Sequence, residues 1–76
     1  MKVYTLEAVL KGETVKFAKA FDSRESAIDY LFNYYSKRYM NNDLVVNEEI
    51  TLGGNKHDIQ YVCDHNDRFR INRVIL

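Results

Sequence analysis

Apolar side chains recur at every second position through the first quarter of the chain, and this pattern constrains the fold most strongly. Tyr4, Leu6, Ala8 and Leu10 share one phase in residues 2–10, and Val15, Phe17 and Phe21 share one phase in residues 14–21, as in β-strands with one buried face. Between them stands Lys11-Gly12-Glu13-Thr14, and glycine at the first position of a two-residue loop is typical of a type II′ hairpin turn. The chain therefore begins with a predicted β-hairpin. Its predicted register pairs Leu10 with Val15, Ala8 with Phe17, Leu6 with Lys19, and Tyr4 with Phe21.

A helical period replaces the strand period after Phe21. Asp22 or Ser23 can serve as the N-cap, and Glu25 stands three residues after Asp22, which approximates a capping box. The pattern predicts a helix that runs to about Tyr39. One arc of this helix is apolar and comprises Ile28, Leu31, Phe32, Tyr35 and Tyr39.

Three further strands are predicted in the second half, at about 44–52, 57–63 and 68–75. Gly53-Gly54-Asn55 and His65-Asn66-Asp67 are turn signals between them. In the first of these strands, the apolar residues that share one phase are Leu44, Val46, Ile50 and Leu52. The second loop is predicted to set Cys63 opposite Phe69 and Tyr61 opposite Ile71, which keeps both apolar faces on one side.

This order of elements predicts an α+β fold, a ββαβββ two-layer sandwich with one helix packed on a mostly antiparallel sheet. A chain of 76 residues has room for one hydrophobic core, so we expect a single domain over 1–76. The residues expected to form one buried cluster are Phe17, Leu31, Phe32, Tyr61 and Ile71.

Composition limits the possible partners and compartments. The chain has 11 Lys and Arg against 11 Asp and Glu, so no net field attracts it to nucleic acid or membrane. It has no apolar run of about 18 residues, so no transmembrane helix is expected. Cys63 is the single cysteine and favours a reducing, cytoplasmic location. A small, neutral, proline-free chain of this kind is typical of bacterial or phage accessory proteins.

The residues that most often carry catalysis or bind metals are few. His57, Cys63 and His65 are the only histidines and cysteine, short of the four ligands that structural zinc requires. No phosphate-binding loop or nucleophile motif is present. We therefore interpret Cys63 as a packing residue and predict no enzyme activity, no metal site and no cofactor.

The C-terminal strand supports one alternative function, nucleic-acid binding. Arg68, Arg70 and Asn72 alternate onto the face away from the helix, and Lys16 can extend them into a basic stripe. Such side chains contact phosphates and base edges. Cross-strand pairing with Asp58, Asp64 or Asp67 would neutralise the arginines and remove this possibility.

Protein interaction is the leading functional hypothesis. Tyr30 and Tyr34 lie off the apolar arc of the helix beside Arg38, and Tyr and Arg are enriched at binding hot spots. Stacking along the helix and cover of the sheet edge would also explain the tyrosines. The face away from the helix carries more apolar residues than solvation requires, namely Val3, Val9, Ala18, Ala20, Val62 and Val74. We therefore predict a non-catalytic module that binds another protein or forms a homodimer, with Tyr30, Tyr34, Arg38, Val62 and Val74 as contact residues.

Overall fold

The computed structural model describes residues 1–76 as one helix packed on a five-stranded sheet. The elements are β1 (Lys2–Leu10), β2 (Glu13–Phe21), α1 (Arg24–Arg38), β3 (Val46–Leu52), β4 (Asn55–Cys63) and β5 (Arg68–Ile75). The strand order is β2-β1-β5-β4-β3, and every neighbouring pair is antiparallel. The predicted α+β two-layer sandwich is thus confirmed. Its central strand is β5, which lies between the first strand and the fourth.

The ends of α1 follow from its capping residues. Ser23 is the N-cap, and its Oγ accepts a 3.1 Å hydrogen bond from the main-chain N–H of Ser26. The helix ends where Tyr39 donates its N–H to the carbonyl oxygen of Tyr35. Met40 then takes a left-handed conformation with φ 57°, which helices often adopt just beyond their last turn.

The β1–β2 hairpin differs from its predicted register because its two-residue loop lies one residue earlier, and its turn is of another type. The two loop residues are Lys11 and Gly12, both with positive φ, as in a type I′ turn. Leu6 consequently lies opposite Phe17, and the predicted pairing of Leu6 with Lys19 is wrong. Lys19 lies in a bulge of β2 between Phe17 and Phe21, and its Nζ lies 4.9 Å from the ring centre of Tyr30 on α1. The bulge spares the ammonium group from burial opposite Leu6.

A second bulge, at Asn47, reverses the phase of β3. Val46 faces the core opposite Cys63, but Ile50 lies opposite Gln60 on the face away from α1. The prediction that Val46 and Ile50 share a face is therefore wrong. Asn47 donates a 2.6 Å hydrogen bond from Nδ2 to Oδ1 of Asp64, and this bond holds the extra residue in place.

The β4–β5 pair is shifted by two residues from its predicted register. Tyr61 lies opposite Phe69 and not opposite Ile71. The N–H of Cys63 donates a 2.8 Å bond to the carbonyl oxygen of Asp67, and this bond closes the turn. Because the shift is an even number of residues, the apolar faces still point to the same side.

The core lies between α1 and the sheet, and the helix is rotated slightly from its predicted orientation. Ala27, Leu31 and Tyr35 are its buried residues, and the small Ala27 side chain permits close approach to the sheet. Phe32 stays 36% exposed, so its predicted place in the core is wrong; its ring lies perpendicular to that of Phe69, with the ring centres 6.5 Å apart. The buried apolar residues are Leu6, Ala8, Leu10, Phe21, Ala27, Leu31, Tyr35, Leu44, Ile59, Tyr61, Cys63, Phe69 and Ile71.

Candidate functional site

The sheet face opposite α1, here called the outer face, is covered by no other element. The two ends of the chain do not cross it, because the N–H of Leu76 donates to the carbonyl oxygen of Met1 beside β1 and β5. Strand register places the side chains on this face. They are Val3, Thr5, Glu7, Val9, Thr14, Lys16, Glu48, Ile50, Asp58, Gln60, Val62, Arg68, Arg70, Asn72 and Val74.

Ion pairs occupy the middle of the outer face. Arg70 donates two 2.7 Å hydrogen bonds to the carboxylate of Asp58, one from Nε and one from Nη2. Its Nη1 lies 3.7 Å from Oε1 of Glu7, and Lys16 lies opposite Glu7 on β2. The hydrogen bonds from Arg70 lower the pKa of Asp58 below its usual value, although burial opposes the shift. Charges of opposite sign therefore alternate across the face and largely cancel.

The apolar residues of the outer face form two groups on either side of these charges. Val3 lies directly opposite Val74 at one end, and Val9 and Val62 flank Arg68 at the other. Six residues separate the two ends along β5, a distance of about 20 Å. The structure therefore does not bring Val62 and Val74 together, and polar side chains separate them.

The residues predicted to bind nucleic acid fall into two neighbouring concavities. Lys16, Arg70 and Asn72 line one of about 330 Å³, together with Glu7. Arg68 lines a second of about 220 Å³. Arg70 is held by its carboxylate partners, whereas Arg68 is exposed and forms no ion pair.

The predicted helix flank packs largely against β2. Phe17 makes edge-to-face contacts with Tyr30 and Tyr34, at ring-centre distances of 5.8 and 5.1 Å. Nη2 of Arg38 lies 3.2 Å from Oε2 of Glu13. Tyr30, Tyr34 and Arg38 thus lie on one side of the molecule, against β2 at the edge of the sheet.

Cys63 and His57 lie in different environments. Cys63 is 4% exposed, and burial, with smaller effects of Asp67 and Asp64, raises the pKa of its thiol to about 11. Burial, followed by the positive charge of Arg73, lowers the pKa of His57. No three His, Cys, Asp or Glu side chains are grouped as metal ligands.

Asp67 is the buried polar residue whose role the sequence analysis missed. It is 1% exposed; its Oδ2 accepts a 2.9 Å hydrogen bond from the hydroxyl of Tyr35, and its Oδ1 accepts a 2.7 Å bond from the main-chain N–H of Lys11. One carboxylate therefore joins the β4–β5 turn, α1 and the β1–β2 turn. The available signal was Tyr35 itself, because a tyrosine at the centre of an apolar helix face needs a partner for its hydroxyl.

The outer face and the two edges of the sheet, β2 and β3, are open surfaces of the fold. The one helix is too short and too polar to cross a membrane. Comparisons with protein families, curated proteins and solved structures found no match to this chain.

Proposed function

We propose that this chain is a non-catalytic protein-interaction module that associates with a second copy of itself through the outer face. The observation that supports the proposal most directly is an uncovered face whose central charges are already paired. Burying an unpaired charge is costly, but a charge that keeps its hydrogen-bonded partner loses much less on burial. Arg70 can retain both bonds to Asp58 when a second molecule packs over it.

The size of the face also supports self-association. The two larger dimensions of the molecule are 36 and 23 Å, which give this face an area of roughly 800 Å², the area that each partner buries in a standard interface. Exposed Ile50 and the two groups of valines provide apolar contacts around the ion pairs. A symmetric dimer is the commonest assembly for small domains.

Sedimentation velocity at about 100 μM, a concentration that populates dimers of micromolar affinity, tests the proposal. We expect the wild type to sediment as a dimer and Val3→Glu as a monomer, because Val3 lies opposite Val74 and the substitution buries an unpaired charge in the interface. The matched control is Val45→Glu, an equivalent change at an exposed position outside the outer face, which should remain dimeric. Circular dichroism establishes that both variants are folded. A monomeric wild type at this concentration would refute the proposal.

Nucleic-acid binding through Lys16, Arg68, Arg70 and Asn72 is the second candidate. The observation in its favour is the exposed, unpaired guanidinium of Arg68; the observation against it is the pairing of Arg70 with Asp58. If it is correct, DNA or RNA binds at about 50 mM salt, affinity falls steeply with added salt, and Arg68→Ala reduces that slope by about one phosphate contact.

A further inference from the structure

We infer that the free edge of β3 is a docking site for an extended, basic segment of another protein, which adds to the sheet as a sixth strand. The site is the main-chain edge of β3, which Glu48 and Ile50 border on the outer face, and the inference does not depend on self-association.

The edge of β3 is open along its length. β3 pairs only with β4 and ends the sheet, and all five residues from 47 to 51 are exposed. An edge strand presents unpaired main-chain N–H and C=O groups. An extended peptide can pair with these groups, so that main-chain hydrogen bonds supply affinity and side chains supply specificity.

The charges of β3 indicate which peptide fits. Glu48 lies opposite Val62 on the outer face, and Glu49 lies opposite Tyr61 on the face that carries α1. Neither glutamate belongs to an ion pair. A strand lying alongside β3 therefore meets a carboxylate on each of its two faces. Lys or Arg at consecutive positions of that strand would lie opposite these carboxylates, and opposite charges across a strand pair are stabilising.

Exposed Ile50, with 38% of its surface in solvent, adds an apolar contact next to the two glutamates. It faces the same side as Glu48, two residues away on the strand. The favoured segment therefore combines consecutive basic residues with a neighbouring apolar one. This combination defines the chemistry of the expected partner.

The same charges argue against pairing of β3 with the β3 of a second copy. Antiparallel pairing centred on either glutamate places like charges opposite or diagonal to one another, which is destabilising. The other sheet edge, β2, differs in sign and shape. It carries Lys16 and Lys19, and a bulge interrupts it. The two edges of the sheet therefore select different partners, and an acidic edge selects a basic strand.

Two synthetic nonapeptides test the inference. The first alternates lysine and valine around a central Lys-Lys pair, and the second has glutamate in place of every lysine. Amide chemical shifts of the labelled protein are followed during titration. We expect the basic peptide to shift amides of β3, and the acidic peptide to shift none. In the double variant Glu48→Lys/Glu49→Lys, affinity for the basic peptide should fall about tenfold, since two exposed ion pairs become repulsive, and the acidic peptide should bind instead.

The matched control is Asp29→Lys/Asp43→Lys, which changes net charge equally at two exposed, unpaired residues away from the edge. It should leave the basic peptide bound at β3. Val74→Glu alters the outer face far from β3, so it separates this inference from self-association and should also leave binding unchanged. Equal binding of both peptides, shifts outside β3, or no binding of the basic peptide would overturn the inference. The wild type could instead form salt-sensitive polymers that are absent in Glu48→Lys/Glu49→Lys. That result would identify the β2 edge of a second copy as the occupant of the β3 edge, and it would also overturn the inference.

Discussion

Replacement of Asp67 by alanine should destabilise this domain more than any other single loss of a polar group. The carboxylate is 1% exposed and accepts two hydrogen bonds, from the hydroxyl of Tyr35 and the main-chain N–H of Lys11. A hydrogen bond to a charged group contributes about 1.5–3 kcal/mol, and a donor left unpaired on burial costs a further part of that range. Lys11 is at the surface, where water can satisfy its N–H, so we expect a total loss of roughly 3–5 kcal/mol.

That loss is a large fraction of the whole stability. At about 0.05–0.15 kcal/mol per residue, a chain of this length has an unfolding free energy of roughly 4–11 kcal/mol. Asp67→Asn should cost only about 1–2 kcal/mol, because the amide oxygen can accept from Lys11 while the amide nitrogen donates to the Tyr35 hydroxyl. The order of stability is therefore wild type, Asp67→Asn, Asp67→Ala.

Urea unfolding followed by far-ultraviolet circular dichroism measures these differences. A double-mutant cycle with Tyr35→Phe isolates the bond between the two side chains, and we expect a coupling of about 1–2 kcal/mol. The control is Asp43→Ala, an exposed carboxylate with no ion pair, which should stay within about 0.5 kcal/mol of the wild type. If Asp67→Ala lost no more than this control, or if the cycle were additive, the carboxylate would not hold the three elements together.

Three further predictions concern packing, pH and the thiol. Leu31 is fully buried, so Leu31→Ala should lower the unfolding free energy by about 2–5 kcal/mol, whereas Phe32→Ala at the more exposed neighbouring position should lower it less. Equal losses of unfolding free energy in urea titrations would contradict the helix orientation. Arg70 lowers the folded-state pKa of Asp58, so the contribution of Asp58 to the unfolding free energy is present above the ordinary aspartate pKa of 3.8 and is lost as pH falls through the folded-state pKa. This acid-dependent loss of stability should be smaller in Asp58→Asn. Identical pH profiles of the two proteins would show that the ion pair is not linked to folding. With its pKa raised to about 11, the thiol of Cys63 should be about one-thousandth ionised at pH 8. It should therefore react with iodoacetamide far more slowly in the folded protein than in urea. Equally fast labelling in both conditions would show that the thiol is accessible.

Periodicity and capping, which are properties of neighbouring residues, determined the elements of this protein. Alternation in residues 2–10 and 14–21 predicts two strands because side chains of an extended chain point to opposite faces in turn. Asp22 and Ser23 predict the start of α1 because either side chain can accept a hydrogen bond from the first turn, and in the structure Ser23 does so. These local rules, with the order of elements, were enough for the two-layer sandwich.

The two bulges depend on how the strands pair in the tertiary structure. Residues 44–52 carry alternating apolar side chains, and nothing local shows that Asn47 is an extra residue. Its hydrogen bond joins β3 to Asp64 in the turn after β4, and the bulge moves Ile50 to the outer face. Lys19 similarly does not pair with Leu6, because burial there would desolvate its charge; its ammonium group lies beside the ring of Tyr30 on α1.

The tertiary structure also determines which charged side chains pair on the open surfaces. The sequence placed Arg70 on the face away from the helix and named Asp58 among its candidate partners, but Glu7 comes from the other end of the chain. Asp67 was read as a turn residue, and its burial depends on Tyr35 and Lys11, which only the packed helix and hairpin bring to it. A side chain's direction follows from its own strand or helix, whereas its partner depends on which distant elements lie beside it, because a hydrogen bond requires two atoms about 3 Å apart.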